Sequence, residues 1–431
     1  MTEGNQWFGK TPDGWQIKRN KEIFAEVSTP SKTGEETLLT VSHITGVTPR
    51  SEKNVNMFMA ENMTGYKQCK PGDLIINTMW AWMGALGTSK YAGICSPAYG
   101  VYRPRRGVDY HAGYFDYLFR TPNAIMEMTR YSKGIVSSRL RLYPKDFYQI
   151  ETCLPPYAEQ KAIADYLEKQ TSLLDRKIIL LNNKIEKYQR LRTSLINKTV
   201  CHGLGNSIEV VDSGFEWLGK VPRHWSVEQV KNLAYKIGSG ITPKGGSETY
   251  VDSGVIFIRS QNVYDDGLRL DGVSYISSDV NELMKSSQLV SGDVLINITG
   301  ASIGRSCAFP PNVGAANINQ HIAFVRLKKK YRRNYFSIFF KVNCVKEYIR
   351  TEQTGASKEA FTLAQIANLA IPVPPVEEQE AIATYLDDKT GRIDAIVAKL
   401  KEQVEKLQEL RKTLIQDVVT GKIRVVDGVR A

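Results

Sequence analysis

Residues 155–200 read PPYAEQKAIADYLEKQTSLLDRKIILLNNKIEKYQRLRTSLINKTV, and residues 374–419 read PPVEEQEAIATYLDDKTGRIDAIVAKLKEQVEKLQELRKTLIQDVV. The two stretches align without a gap at an offset of 219 residues, and 20 of their 46 positions are identical. A repeat of this length predicts two copies of one structural unit and an approximate two-fold axis. Pro155-Pro156 and Pro374-Pro375 cannot lie inside a helix, so each helix is expected to begin just after them. Gly203 and Gly421 are natural C-terminal stops. Thr171-Ser172 and Thr390-Gly391 are expected to divide each helix into a short leader and a long arm.

Beyond that break the apolar positions step four and three residues at a time. The first arm runs Leu174, Ile178, Leu181, Ile185, Tyr188, Arg192, Leu195, Thr199. The second runs Ile393, Val397, Leu400, Val404, Leu407, Arg411, Leu414, Val418. This is the seam of a two-stranded coiled coil, here expected to be antiparallel and formed within one chain. Arg192 and Arg411 occupy equivalent seam positions, where charge must either reach water or find a partner. From Leu174 to Thr199 such an arm spans roughly 38 Å at about 1.5 Å per residue.

The repeat extends beyond the helices. Trp7-Phe8-Gly9-Lys10-Thr11-Pro12 with Trp15 returns as Trp217-Leu218-Gly219-Lys220-Val221-Pro222 with Trp225. Gly72-Asp73-Leu74-Ile75-Ile76-Asn77 with Gly84 returns as Gly292-Asp293-Val294-Leu295-Ile296-Asn297 with Gly304. The expected segments are a globular unit over residues 1–154, a helix over 155–205, a second globular unit over 206–373, and a helix with a tail over 374–431. The fold class is α+β: two mixed α/β domains separated by two long antiparallel helices. Residues 74–77, 255–259, 294–297 and 321–327 read as strands, and helices are expected to begin near Tyr114 and Tyr335.

The chain of 431 residues carries a net charge of +12, unevenly placed. Segments 1–154, 155–205 and 206–373 are net +5, +4 and +4, whereas 374–431 is −1. A basic, two-fold object fits a two-part site on duplex DNA, whose turn is roughly 34–36 Å. No run of apolar residues is long enough for a membrane span, and the polar start carries no secretion-signal core. The six cysteines lie far apart in sequence and predict free thiols in a reducing cytoplasm. No metal-ligand spacing is visible among the histidines.

Catalytic motifs are absent. Leu154-Pro155-Pro156-Tyr157 superficially resembles the Asn/Asp-Pro-Pro-Tyr motif of amino-methyltransferases, but leucine cannot accept a hydrogen bond from a target amine. Its counterpart, Val373-Pro374-Pro375-Val376, lacks the aromatic as well. Gly238-Ser239-Gly240 lacks dinucleotide spacing, and no phosphate loop occurs. The chain is read as non-catalytic and metal-free. Basic runs suit phosphate contacts: Arg103, Arg105 and Arg106 in the first unit, and Lys328, Lys329, Lys330, Arg332 and Arg333 in the second. Base reading needs forked or amide groups, for which Arg50, Lys244, Arg259, Gln261 and Asn262 are candidates. Asn77, Asn297, Asn317, Asn319 and Gln320 suit turns and strand ends equally well. A coiled-coil scaffold without a DNA role is the competing interpretation.

Together, PPxxEQxAIAxYL followed by a heptad helix ending in LRTSLI or LRKTLI, twice over, after units opening Trp-[Phe/Leu]-Gly-Lys, resembles the specificity subunit of Type I restriction–modification enzymes. The resemblance covers nearly the whole chain. It implies two target-recognition domains, each reading one half of an asymmetric bipartite DNA site, with the two helices as spacer. It further implies docking of two methyltransferase subunits and two restriction subunits, which would carry the S-adenosylmethionine, ATP and Mg2+ chemistry. The subunit itself would bind no cofactor and would act in the cytoplasm.

Overall fold

The computed structural model describes residues 7–53, 62–136, 139–205, 208–329, 331, 333–352 and 360–425. The chain divides into two compact units, one made of residues 1–182 and 401–431, the other of residues 183–400. Each unit therefore contains a globular part and a portion of both long helices, a division that cuts across the four segments expected from sequence.

The first unit is built on a four-stranded antiparallel sheet in the order Phe24–Glu26, Tyr99–Pro104, Leu74–Asn77, Leu86–Thr88. The second unit repeats that order with Ala234–Ser239, Ile322–Leu327, Val294–Asn297 and Ser306–Ala308. Ile75 sits opposite Val101 and Gly87, as Leu295 sits opposite Phe324 and Cys307. The Leu-Ile-Ile-Asn and Val-Leu-Ile-Asn strands are buried on both faces, which explains why they read as unbroken apolar runs. Helices Ala112–Phe119 and Arg333–Phe339 supply the aromatic packing. Phe24, Phe115, Phe119 and Phe147 cluster in the first core, and Tyr335, Phe336, Phe339 and Phe340 in the second.

A strand pair closes each unit beneath its Pro-Pro. Gln16–Arg19 lies antiparallel to Glu151–Leu154, with Gln16 opposite Leu154. Ser226–Gln229 lies antiparallel to Ala370–Val373, with Ser226 opposite Val373. Leu154 is thus a buried strand residue, and the Pro155 carbonyl accepts a hydrogen bond from Gln160 at 2.8 Å. The Leu-Pro-Pro-Tyr segment is a strand-to-helix joint.

The long helices run over Tyr157–His202 and Val376–Val419 without interruption. The expected division at Thr171 and Thr390 does not occur. Each threonine donates its hydroxyl to the carbonyl four residues earlier, Leu167 and Leu386, at 2.7 Å, and so stays inside the helix. Gly203 and Gly421 lie just past the ends at φ +77° and +72°, as a left-handed stop requires.

Within each unit the helical portions run antiparallel. In the first, Arg411 Nε lies 2.9 Å from Asp175 Oδ1. In the second, Arg192 Nε lies 2.9 Å from Asp394 Oδ1. Both arginines and both aspartates are repeat partners, so one pairing is made twice. Ile185, Ile393, Val397, Leu400, Val404 and Val418 are buried; Leu174, Ile178, Leu181, Tyr188, Leu195, Leu407 and Leu414 are half-buried.

The joint between globular part and helix is also duplicated. Glu159 accepts from the Trp15 indole at 2.9 Å, and Glu378 from the Trp225 indole at 3.0 Å. Gln160 and Gln379 are fully buried and donate to the Pro155 and Pro374 carbonyls at 2.8 Å. The Tyr114 hydroxyl donates to the Val419 carbonyl (3.1 Å) or that of Cys153 (3.3 Å). Tyr335 does the same with Pro372 (3.0 Å) and Val200 (3.2 Å). Each tyrosine thus pins the last turn of a long helix whose start lies in the other half of the sequence.

All six cysteines are free. Though scattered in sequence, two pairs meet: Cys69 Sγ lies 3.4 Å from Cys95 Sγ, and Cys201 is hydrogen-bonded to Cys344. Burial pushes the Cys153 thiol up to about 11 and that of Cys307 to about 12. Among the described residues no helix is long and apolar enough to cross a membrane.

Candidate nucleic-acid interface

The framework acid of each unit fixes where the loops begin. Asp73 is almost fully buried, accepts from the Lys70 amide at 2.8 Å and holds the Arg103 guanidinium through two bonds of 2.8 and 2.6 Å. Asp293 accepts from the Val290 amide at 2.8 Å and holds Arg326 at 2.9 and 2.7 Å. A buried carboxylate needs such forked, charge-assisted bonds to offset its lost hydration. These bonds raise both guanidinium pKa values further. Asp73, Asp293 and Arg326 were not among the expected site residues, although the duplicated Gly-Asp marked the two acids.

Several expected DNA contacts therefore have roles within the fold. Arg103 is engaged by Asp73. Arg105 donates from Nε to the Lys21 and Phe24 carbonyls at 2.8 and 3.1 Å. Lys328 donates to the Asn232 carbonyl at 2.7 Å. Asn262 is buried, accepts from the Arg259 amide and donates to the Arg269 carbonyl, so it locks a turn. Arg106, Lys244, Gln261 and Lys329 are exposed, and Arg50 and Arg259 are half-buried. Lys330 and Arg332 lie outside the described residues, as does the side chain of Arg333.

After each Gly-Asp strand a hairpin projects. In the first unit it runs from Asn77 to Leu86, with the Asn77 amide on the Ala85 carbonyl at 3.0 Å. In the second it runs from Asn297 to Ser306, with the Asn297 amide on the Arg305 carbonyl at 2.9 Å. Each is tied back one residue on: the Leu142 amide donates to Thr78 at 3.0 Å, and the Phe361 amide to Ile298 at 2.9 Å. Gly84 and Gly304 hold φ of +83° and +80°, so both hairpins turn on the same left-handed glycine.

The tips differ. The first presents Met79 and Trp80, the latter 49% exposed, while the Trp82 indole donates to the Met79 carbonyl at 3.0 Å. Nearby, the Arg120 guanidinium holds the Ile44 carbonyl at 2.7 Å and Ile44 itself is exposed. The second tip is small and polar, Thr299-Gly300-Ala301-Ser302. Thr299 bonds to His321 Nδ1 at 2.6 Å, Thr242 donates to Gln320, and the buried Asn297 donates to Ser260 O at 2.8 Å and Ser302 Oγ at 3.0 Å. Three loops of the second unit, around residues 242, 260 and 320, are thereby bonded to or around one hairpin. Arginines stand beside them on tyrosine faces: Arg259 over Tyr250 at 5.8 Å, and Arg269 and Arg305 over Tyr264 at 5.2 and 4.7 Å. Rigid strands carrying loops rich in forked donors can meet phosphates and base edges. Among the described residues, no group of three or more His, Cys, Asp or Glu is placed to hold a metal ion.

Comparison with known proteins agrees with this geometry. Residues 222–406 match the family model described as Type I restriction modification DNA specificity domain. The chain is 27% identical over 277 residues to the putative type I restriction enzyme MjaX specificity subunit of Methanocaldococcus jannaschii, covering 63% of this chain and 59% of that one. It thus spans about three fifths of that relative's length. Among solved structures, the HsdS subunit from Thermoanaerobacter tengcongensis shares the fold at TM-score 0.57 and 20% identity, covering 98% of this chain and 100% of that one. A chain from a structure describing complex assembly and conformational transition of the type I R-M system does so at TM-score 0.73 and 18% identity, covering 96% and 100%. The doubled framework and long helices are thus shared in fold with solved Type I restriction–modification subunits, and residues 222–406 match the Type I restriction modification DNA specificity domain, to whose curated specificity subunits the chain is similar.

Proposed function

We propose that this chain reads an asymmetric bipartite site on duplex DNA, one half with each unit, and docks two methyltransferase subunits that modify adenine there. Two restriction subunits complete the nuclease. The chain contributes no catalytic group; S-adenosylmethionine, ATP and Mg2+ act on the partners. Its place of work is the cytoplasm. The observation that carries this reading is the pairing of one framework with two different loop sets. Asp73 and Asp293, Tyr114 and Tyr335, and Glu159 and Glu378 perform the same tasks twice. The hairpin tips beside them differ: Met79, Trp80 and Trp82 stand where the second unit has Thr299, Gly300 and Ser302. Duplicated joints suit two equivalent partners, and divergent tips suit two different half-sites.

Phosphate contacts from exposed lysines and arginines supply position, and loop donors supply sequence. The long helices act as a ruler between half-sites. The test is methylome sequencing of a host carrying this chain with its cognate methyltransferase subunit. A methylated motif of two short blocks separated by a fixed gap is expected. Deleting one heptad from both helices should shorten the gap or abolish methylation; an unchanged motif ends the ruler idea. A scaffold without a DNA role would leave the host unmethylated and show no steep fall of DNA affinity with salt.

A further inference from the structure

We infer that Arg259 is a base-reading residue of the second unit, and that its target is a guanine in that unit's half-site. The inference rests on the DNA-recognition reading above and names one residue within it. The second unit gives most of its arginines a carboxylate: Arg326 has Asp293, Arg269 has Asp266, Arg192 has Asp394. Among the described residues the Arg259 guanidinium makes no ion pair and no hydrogen bond, and its Nε is shielded from water without an acceptor. No carboxylate of the described fold therefore competes for the outer Nη donors of this fork.

The backbone that carries Arg259 is fixed. It follows strand Val255–Ile258, which pairs in parallel with Ala316–Ile318, and the Asn319 amide donates to Ile258 O at 3.1 Å. Its amide donates to Asn262 Oδ1 at 2.9 Å, and its carbonyl accepts from the Asn262 amide at 2.7 Å. Asn262 and Asn297, both buried, anchor the turn from two sides. The Tyr250 ring beneath the guanidinium limits its plane. A phosphate contact needs only a positive charge on a flexible stem. A planar fork on a locked turn is what bidentate recognition of guanine O6 and N7 requires.

The experiment compares methylomes and DNA affinities of the full complex carrying wild-type chain, Arg259→Lys or Arg259→Gln. Lysine keeps the charge and loses the fork. The expected result is loss of discrimination at one G·C position in one half-site, with the other half unchanged. Affinity for the cognate site should fall roughly 10- to 100-fold in both variants, and Arg259→Lys should keep the wild-type salt slope. An unchanged motif in both variants overturns the inference. So does a loss of affinity that is equal on all sequences, which marks a phosphate contact, or loss of both half-sites, which marks a structural role. If the wild-type complex itself yields no two-block motif, the DNA-recognition reading falls and takes this inference with it.

Discussion

The hairpins Asn77–Leu86 and Asn297–Ser306 leave equivalent strands, turn on a left-handed glycine and are tied down by an amide one residue beyond the asparagine. Between those shared points one carries Met-Trp-Ala-Trp-Met and the other Thr-Gly-Ala-Ser-Ile. The difference shows which positions the fold constrains. Residues that receive buried charge or close a turn are the same in both units. The residues at the tips between those points differ.

That division can be broken most forcefully at the framework acids. Asp73→Ala and Asp293→Ala should each destabilise their own unit by about 3 kcal/mol, because each strands a partly buried arginine and frees a turn amide. Hydrogen exchange in strands Leu74–Asn77 and Val294–Asn297 would show the loss in one unit at a time; a loss confined to only one of the two variants would break the equivalence. Tyr114→Phe and Tyr335→Phe remove a hydroxyl that serves a helix end, and about 1–2 kcal/mol is expected from each by denaturant titration. Markedly unequal values would mean that the two joints are not alike. At the tips the pattern should reverse. Trp80→Ala should weaken cognate DNA binding by about 1 kcal/mol through the first half-site, and change folding stability by less than about 0.5 kcal/mol. A large stability loss would return this tryptophan to the framework. The smallest effect is expected at the helix pairs: Arg192→Ala and Arg411→Ala should cost below about 1 kcal/mol each, since their carboxylate partners are half exposed. The reciprocal swap Arg192→Asp with Asp394→Arg should restore the value.

The helices were legible because their rules are local: prolines start them, glycines stop them, and the four-three spacing marks the buried seam. The strands of the two sheets were legible as short apolar runs. The break at Thr171 and Thr390 was misread because a threonine hydroxyl can satisfy itself on the preceding turn, a choice that composition does not display. Arg103 looked like a free surface charge because Asp73 lies thirty residues away and meets it only across paired strands. The seam arginines were ambiguous singly. Their acids, Asp175 and Asp394, are identical at matching repeat positions, and that coincidence was the available signal. Base-reading residues obey no spacing rule, so the loops told least.

The carbonyl that Tyr114 takes from Val419 has a consequence for synthesis. The second unit, residues 183–400, is continuous and can close its core as it emerges from the ribosome. The first unit includes residues 401–431, and Val418 and Val419 belong to its core. Its opening segment must wait through the making of more than two hundred further residues before its last helical turn arrives. Domains usually mature in the order they are translated. Here the N-terminal unit finishes last, because Val418 and Val419 complete its core.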